Sequence, residues 1–213
     1  MSQRHYSFID KICISIDQTL RALSHNAHTT ARPYPAVAED LIMNNKQKQH
    51  AAGLMRVNHT GEICAQALYH GQYLGTKNTL LQAELQRAAV EEGDHLAWCK
   101  QRLDELGSHA SYLNPLFYAG SFCLGLAAGM IGDEWSLGFI AETEDQVIRH
   151  LQNHIDKLPV NDLRSREILQ KMAVDETSHK SYALAAGGEE LPELVKSAMA
   201  ATAKIMVKTT YWL

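Results

Sequence analysis

The pattern Glu-x-x-His occurs twice in this chain, at Glu92 and His95 and again at Glu176 and His179. Side chains three residues apart on a helix project from nearly the same side, so each pattern pairs a carboxylate with an imidazole. Both pairs lie on a stripe of otherwise apolar residues that are three or four positions apart in alternation. Residues with this spacing on a helix face the core of a helical bundle. The chain must therefore fold around polar groups whose burial is costly unless they are compensated.

Two more glutamates occupy the same kind of stripe on two other predicted helices. Glu62 lies on the stripe of the helix predicted at 48 to 75, and Glu144 lies on that of the helix at 133 to 157. In the segment AETEDQV, Glu144 is preferred to Glu142 because only Glu144 lies seven residues from both Leu137 and Leu151. Four core positions in four helices therefore carry glutamate.

Long helical periodicity, without strand-like alternation, predicts an all-α protein. Glu62 precedes Glu92 by 30 residues and Glu144 precedes Glu176 by 32, so the chain reads as two helical hairpins joined by the segment 107 to 132. One long crossover is typical of a ferritin-like four-helix bundle. We expect a single domain over 1–213, in which 1–45 form an N-terminal helix and connector, 48–186 the bundle, and 191–213 a C-terminal amphipathic helix. The predicted helices are 6–24, 48–75, 79–106, 133–157, 162–186 and 191–213.

Four ionised carboxylates inside one apolar bundle require positive charge beside them. Two divalent ions supply +4 against −4, with both histidines neutral, so the charge count favours two metal ions over one. This combination of glutamates and Glu-x-x-His pairs is known from di-iron and di-manganese carboxylate proteins. A ligand set of oxygen and nitrogen without thiolate favours iron or manganese over zinc or copper. The predicted ligands are Glu62, Glu92, His95, Glu144, Glu176 and His179.

Other polar residues near these positions are weaker candidates. Asp175 could accept the second ring N–H of a metal-bound histidine, a common arrangement around metal sites, or be an ordinary solvated acid; Asp94 is a poorer candidate for the same role. His59 and His150 could relay protons, although a hydrogen-bonded structural histidine is the alternative for each. The three acids Glu91, Glu142 and Asp145 fall off the stripes, and we expect them to be exposed.

Charge and cysteine content exclude several classes of protein. The net charge of −4 and pI near 6.2 give no general attraction for nucleic acid. The four cysteines include no Cys-x-x-Cys pair, which argues against a structural zinc or rubredoxin-type site and favours a reduced, intracellular setting. Residues 1 to 10 show none of the features of a secretory signal, so we expect no export.

The chain closely resembles the bacterial demethoxyubiquinone hydroxylases over nearly its whole length. The segments that carry the resemblance are LMRVNHTGEICAQALYHGQ, EEGDHLAWC, LGFIAETEDQV and VDETSHKSYALAAGG. The resemblance implies that the six predicted ligands bind two iron ions. It further implies an oxygen-dependent monooxygenase that hydroxylates the free ring carbon of a polyprenylated demethoxy-benzoquinol in ubiquinone biosynthesis. The two electrons would come from the quinol itself or from a separate electron donor.

A polyprenyl quinol resides in a lipid bilayer, and two segments are suited to reach it there. Residues 113 to 132 carry no charge over 20 positions, although Pro115 and four glycines disfavour a spanning helix. We expect an interfacial or partly buried element, with a buried crossover helix as the alternative. The helix at 191–213 combines an apolar stripe with lysines and ends in Tyr211 and Trp212, as in interfacial helices, or else it packs on the bundle. We predict peripheral attachment to the cytoplasmic side of the inner membrane.

Two kinds of protein remain as rivals at this point. A ferritin-like iron oxidase or storage protein, or a manganese catalase, would use the same ligands. A purely structural bundle would instead expose its glutamates to solvent. The positions of the six side chains therefore distinguish the second rival from any metal-binding protein.

Overall fold

The computed structural model describes residues 8–24 and 32–213, with side chains from residue 16 onward in the first of these ranges. The described residues form seven α-helices and no strand, which confirms the all-α prediction. The predicted connector residues 25–31 and the polar N-terminus 1–7 lie outside this description. The helices are α1 (Phe8–Leu23), α2 (Asn45–Gly75), α3 (Thr79–Glu105), α4 (Asn114–Ile131), α5 (Asp133–Lys157), α6 (Leu163–Ala185) and α7 (Glu193–Thr210).

Several helix ends lie at residues whose side chain or backbone suits the end of a helix. Asn78 caps α3 by accepting hydrogen bonds from the backbone N–H groups of Leu80 and Leu81. Gly107 and Gly187, with φ of 68° and 98°, follow α3 and α6 in a conformation that glycine adopts without strain. Helix α2 begins three residues before its predicted start, because Asn44 and Gln47 form a capping box there.

The two predicted hairpins, α2 with α3 and α5 with α6, pack into one bundle. Their apolar stripes meet in a core on either side of the glutamates. Met55, Leu103, Leu151 and Leu169 belong to the larger cluster, and all four are almost fully buried. Burial of a side chain of this size stabilises the folded state by about 1.5–3 kcal/mol. The stripes therefore hold the six polar side chains at a fixed height in the bundle.

Helix α4 forms within the crossover and runs along α2. The two backbones approach closely because glycines face each other, with Gly71 and Gly75 on α2 opposite Gly125 and Gly129 on α4. A Cβ added at Gly125 would strike the backbone carbonyl of Leu68. Two of the four glycines that disfavoured a spanning helix, Gly125 and Gly129, thus serve helix packing, and α4 is partly buried, with 28% of its residues buried.

Helix α7 crosses α2 and α5, and its end is locked against α2. Arg56 donates to the backbone oxygen of Tyr211 at 2.7 Å, and the Tyr211 hydroxyl lies 2.6 Å from His50 Nδ1. The Tyr211 ring occupies the space beside Gly53 that a side chain there would fill. The predicted apolar stripe is divided between two environments: Val195 and Met199 pack on the bundle, whereas Leu194 and Ile205 are exposed.

The segment before α2 is irregular but attached. Asp40 binds Arg102 at 2.5 Å, and Arg102 also binds the buried Asp162 at 2.7 Å. These ion pairs join the segment to α3 and to the start of α6. Residues from 32 onward are therefore held against the Glu-x-x-His helices.

Candidate metal centre

The six predicted ligand side chains converge at the middle of the bundle, and all six are buried. Within the described residues, two groups bring their ligand atoms within 4.8 Å of one another. The first consists of Glu62, Glu92, His95 and Glu176, and the second of Glu92, Glu144, Glu176 and His179. Glu92 and Glu176 belong to both groups. The two groups adjoin and share two carboxylates, and each of them could hold a metal ion.

The histidines face the carboxylates through the same ring nitrogen. His95 Nδ1 lies 3.1 Å from Glu92 Oε2, 3.1 Å from Glu176 Oε1 and 3.5 Å from Glu62 Oε2. His179 Nδ1 lies 3.1 Å from both Glu92 Oε1 and Glu176 Oε2. One Nδ1 carries at most one proton, so it can donate to one of these oxygens fully and not to all of them.

Each histidine directs its other nitrogen to an acid on the opposite Glu-x-x-His helix. His95 Nε2 lies 3.0 Å from Asp175 Oδ2, and His179 Nε2 lies 2.9 Å from Glu91 Oε2. A carboxylate accepts, so both Nε2 atoms carry a proton and donate it. This leaves the lone pair of a neutral ring on Nδ1, directed at the glutamates, which is the tautomer that a metal ion requires.

Unpartnered oxygens show that these residues fit cations. Over the part of the chain that the structure describes, Glu62 Oε2 and Glu92 Oε1 are buried without a well-aligned hydrogen bond, although a histidine Nδ1 lies 3.5 Å from the first and 3.1 Å from the second. A buried carboxylate oxygen in this condition costs about 1–3 kcal/mol or more unless another group compensates it. Neither ligand group contains a cysteine, so the donors are hard oxygens and imidazole nitrogens. Iron and manganese match this donor set.

Without a metal ion, the clustered glutamates and histidines influence one another's pKa values, and these pKa values determine which of the side chains carry protons. Burial raises the pKa of Glu62 and of Glu144, and neighbouring glutamates raise both further. Burial would also raise the pKa of Glu92, but its close contacts with His179 and His95 lower it. For His179, burial opposes protonation, yet its bonds to Glu176 and Glu92 raise the pKa to about 12. Protons thus occupy the place of positive charge that the four carboxylates demand, and a metal ion would displace them.

The choice of Glu144 over Glu142 agrees with the geometry. Glu144 points into the bundle, where its Oε1 accepts a hydrogen bond from the Tyr69 hydroxyl. Glu142 instead accepts from Gln146 on the outer side of α5. Glu142 and Asp145 are nevertheless half-buried, so the prediction that they are exposed is wrong. Gln146 reaches the backbone of α7 at Lys196, which shows how α7 covers this side of the helix.

Of the weaker candidates, Asp175 contacts one of the six predicted ligands, and the contacts described for the others are made elsewhere. The hydrogen bond expected of Asp175 is present, whereas Asp94 binds Arg32 at 2.7 Å. His59 Nδ1 lies 3.5 Å from Asn114 Nδ2, and the ring of His150 contacts that of His154 in a tilted arrangement with centroids 3.8 Å apart. These contacts do not form a path to the cluster, and the proton relay proposed for His59 and His150 stays a prediction.

Glu91 is the third acid that was wrongly expected to be exposed, and it contacts one of the predicted ligands. It was expected to be a solvated acid, but it holds His179 and in turn accepts from Arg87. A sequence signal for it exists, because an acid immediately precedes the glutamate in both patterns, as Glu91-Glu92 and as Asp175-Glu176. The same position in both halves therefore serves the histidine of the other half.

Two apolar pockets adjoin the cluster. One is a shallow opening beside His179 between α2, α3, α5 and α6. The other, which is smaller, reaches Glu144 and Tyr69 and is lined by Leu68 and Phe139. Leu68 and Phe139 also pack against residues of α4 and α7, so the second pocket lies beneath those helices.

Comparison with known proteins agrees with this geometry. The model of the family described as ubiquinone biosynthesis protein COQ7 matches residues 49–210. A 3-demethoxyubiquinol 3-hydroxylase of Acinetobacter baumannii is 52% identical over 210 residues, which cover 99% of this chain and 100% of that protein. Proteins of the same name from Pseudomonas fluorescens and Ectopseudomonas mendocina are 50% and 49% identical over 211 residues, covering 99% of this chain and 98% of theirs.

Proposed function

The chain belongs to the family of ubiquinone biosynthesis protein COQ7, and from this membership we propose that it hydroxylates 3-demethoxyubiquinol with dioxygen, using two iron ions held in its bundle. The observation that carries the proposal is the convergence of six buried ligand side chains in a chain about half identical, over its full length, to hydroxylases of that name. The ring carbon that bears no substituent would receive one oxygen atom, and water would take the other.

The two shared carboxylates assign the ligands to two positions. Glu62 and His95 would hold one ion, Glu144 and His179 the other, and Glu92 and Glu176 would lie between them. When bound, such a pair supplies redox chemistry with dioxygen and Lewis acidity. The charge of the four carboxylates would then be balanced by the ions, and the protons that they displace would leave the cluster.

The remaining residues orient and shield the centre. Asp175 and Glu91 hold the histidine rings with Nδ1 facing inward, so the rings do not have to turn when an ion binds. Tyr69 donates to Glu144, which holds that carboxylate in one orientation. Apolar residues above and below the cluster exclude water and strengthen every electrostatic interaction within it.

We place the quinol ring beside Glu144, where a small apolar pocket would have to widen to admit it. Thr143 and Gln72 add polar groups to the lining of this pocket. Because it lies beneath α4 and α7, a polyprenyl chain that follows the ring would run along those helices. The pocket beside His179 is lined by residues of α2, α3, α5 and α6 and by none of α4 or α7.

The same two helices suit a lipid surface. Among the described residues, α4 is the one helix long and apolar enough to cross a membrane by length and composition. It lies lengthwise on α2 and exposes Leu116, Leu124 and Met130, while α7 exposes Leu194 and Ile205 beside it. We therefore propose peripheral attachment through this face, on the cytoplasmic side of the inner membrane. Lys196 is engaged by Glu190 and Glu193, so Lys204 and Lys208 are the α7 lysines offered to headgroups.

Turnover of iron-loaded protein tests the proposal. The protein is loaded with ferrous ion without oxygen, mixed with 3-demethoxyubiquinol, exposed to dioxygen, and the ring product is followed by mass. One oxygen atom from labelled dioxygen should appear in the product. Running the reaction with and without an added reductase shows whether a separate electron donor is required. A protein that oxidises ferrous ion and leaves the quinol unchanged would be an iron oxidase or storage protein instead.

A further inference from the structure

Arg32 precedes the bundle and lies outside residues 49–210, the part matched by the family model. Its side chain nevertheless reaches the acids that surround the metal centre. Arg32 Nε donates to Asp94 Oδ2 at 2.7 Å, and one terminal nitrogen donates to Asp175 Oδ2 at the same distance. The guanidinium carbon lies 4.8 Å from the centre of the Trp98 ring. These three contacts are all made with residues of the bundle.

These contacts join the two helices that carry the Glu-x-x-His patterns. Asp94 and Trp98 belong to α3, and Asp175 belongs to α6. The other terminal nitrogen of Arg32 donates to the backbone oxygen of Glu91, also on α3, at 3.3 Å. A planar guanidinium can hold several acceptors in one geometry, which an ammonium group cannot do. Arg32 therefore sets the position of α3 relative to α6 next to His95.

A short path leads from Arg32 to the ligand. Asp175 Oδ2 accepts from both Arg32 and His95 Nε2, and Asp175 Oδ1 accepts from Lys171 at 2.5 Å. The side chain of Arg32 is 28% exposed, whereas that of Asp94 is 3% exposed. Removing the guanidinium would leave Asp94 buried beside Asp175 with less cationic compensation, which is costly for two like charges.

The other half of the centre is supported differently. Glu91, which holds His179, accepts from Arg87 of its own helix, and the Arg87 side chain is 50% exposed. That contact spans one helical turn and joins no second helix. The acid that holds His95 is therefore bound by a residue far away in the chain, whereas the acid that holds His179 is bound by a residue of its own helix.

We propose that Arg32 is a positioning residue for the ion held by Glu62 and His95: by clamping Asp175 against α3, it fixes the His95 ring and makes the two ion positions unequal. The inference rests on the metal centre proposed above. Loss of an outer partner of a metal-bound histidine typically lowers metal affinity by about 10- to 100-fold. Because Arg32 acts through Asp175, we expect a loss of about tenfold, confined to one of the two ions.

Ferrous ion binding to the full-length protein tests this. Affinities are measured without oxygen by competition with a chromophoric chelator, for the wild type, Arg32→Gln and Arg32→Lys. Trp98 provides a second readout, since its ring lies 5.3 Å from that of His95 and a bound ion there should quench its emission. In Arg32→Gln, one ion should bind about tenfold more weakly and the quenching midpoint should move with it, while the second ion is unchanged. Arg32→Lys should recover part of the loss.

Arg164→Gln is the matched control. Arg164 also lies over an aromatic ring of the N-terminal segment, Tyr34, and binds an acid of α3, Glu105, but at the end of the bundle. It should leave both ions unchanged. The double variant Arg32→Gln with Asp175→Asn should bind no more weakly than Asp175→Asn alone, because both changes interrupt one path.

Several outcomes would overturn the inference. Equal affinity of Arg32→Gln and wild type for both ions would do so, as would equal weakening of the two ions or additive losses in the double variant. Circular dichroism of the unloaded variants separates misfolding from altered binding, and a misfolded Arg32→Gln leaves Arg32→Lys to be judged by the same criteria. A wild-type chain that binds fewer than about one ion would overturn the metal centre itself.

Discussion

His95 Nε2 donates to Asp175 Oδ2 across 3.0 Å, so the histidine of one Glu-x-x-His helix is held by the acid that precedes the glutamate of the other. His179 and Glu91 repeat the relationship in the opposite direction at 2.9 Å. Each hairpin thus orients a ligand of its partner. The centre depends on how the hairpins dock as well as on the six side chains themselves.

Removing the acid behind a histidine should weaken metal binding without abolishing it. Asp175→Asn keeps the shape, but its amide can present N–H instead of oxygen to His95, so the tautomer with Nδ1 free is no longer enforced. We expect affinity for ferrous ion to fall by about 10- to 100-fold, and Glu91→Gln to do the same for the ion beside His179. Chelator competition measures both. Unchanged affinity in both variants would show that the contacts are incidental.

The two neighbouring glutamates of α5 should differ completely in activity. Glu144→Ala removes a buried group of the cluster, whereas Glu142→Ala removes a carboxylate that binds Gln146 on the outer side. Product formation from 3-demethoxyubiquinol should be lost in the first variant and retained in the second. If the two variants behave alike, the assignment of Glu144 is wrong.

The glycines between α2 and α4 provide a test of packing. Gly125→Ala would push a methyl group into the backbone of Leu68, so the helices must separate, and we expect a loss of about 1–3 kcal/mol in the free energy of unfolding. Gly120→Ala is the control, because a Cβ there meets nothing within 4 Å. In a helix interior that change should stabilise the protein by about 0.5–1 kcal/mol. Urea denaturation measures both, and a neutral Gly125→Ala would contradict the close approach.

Two buried histidines on α5 should make stability depend on pH. Burial lowers the pKa of His150 to about 4 and that of His154 to about 2, against about 6.5 in an unfolded chain. Between pH 6.5 and 4 these two histidines therefore bind more protons in the unfolded chain than in the folded one, so the stability that they contribute falls as the pH falls. Each histidine contributes up to about 1.4 kcal/mol per pH unit. His150→Gln should reduce the slope by about one proton in urea denaturation at several pH values; an unaltered slope would refute the assignment.

Attachment to lipid should depend on the exposed face of α4 and α7. Leu194→Asp and Ile205→Asp place charge on a helix face that contacts no core residue, so folding should be retained while binding to vesicles with anionic lipid falls. Val160→Asp is the control, since Val160 is equally exposed but lies between α5 and α6. Flotation of protein with vesicles measures the bound fraction. Equal loss in all three variants would point to charge alone.

The positions of the helices that carry the ligands, and the convergence of the six side chains, could be predicted because both depend on residues that are close together in the sequence. Periodicity placed the stripes, and Asn78, Gly107 and Gly187 ended the helices for reasons of capping and backbone conformation. The choice between Glu142 and Glu144 needed only the seven-residue spacing. Such features depend on neighbours in the chain, which a sequence displays directly.

Features that depend on docking were harder to predict. Glu91 lies off the stripe of its own helix, and only the approach of α6 brings His179 to it. Arg32 gave no signal, because its partners are 62 and 143 residues away. The sequence shows that the glycines of α4 weaken a helix. Their role in the contact with α2 could not be predicted, because the sequence does not show which helix lies opposite.

The division of the ligands between the hairpins has a consequence for biosynthesis. Each ion position draws on both halves, since the first needs Glu176 and the second needs Glu92. A nascent chain that has released only α2 and α3 from the ribosome thus offers three of the six side chains and neither complete set. A metal ion that needs either complete set would bind only after α6 has emerged and folded back, so its binding would report that the whole bundle has been assembled.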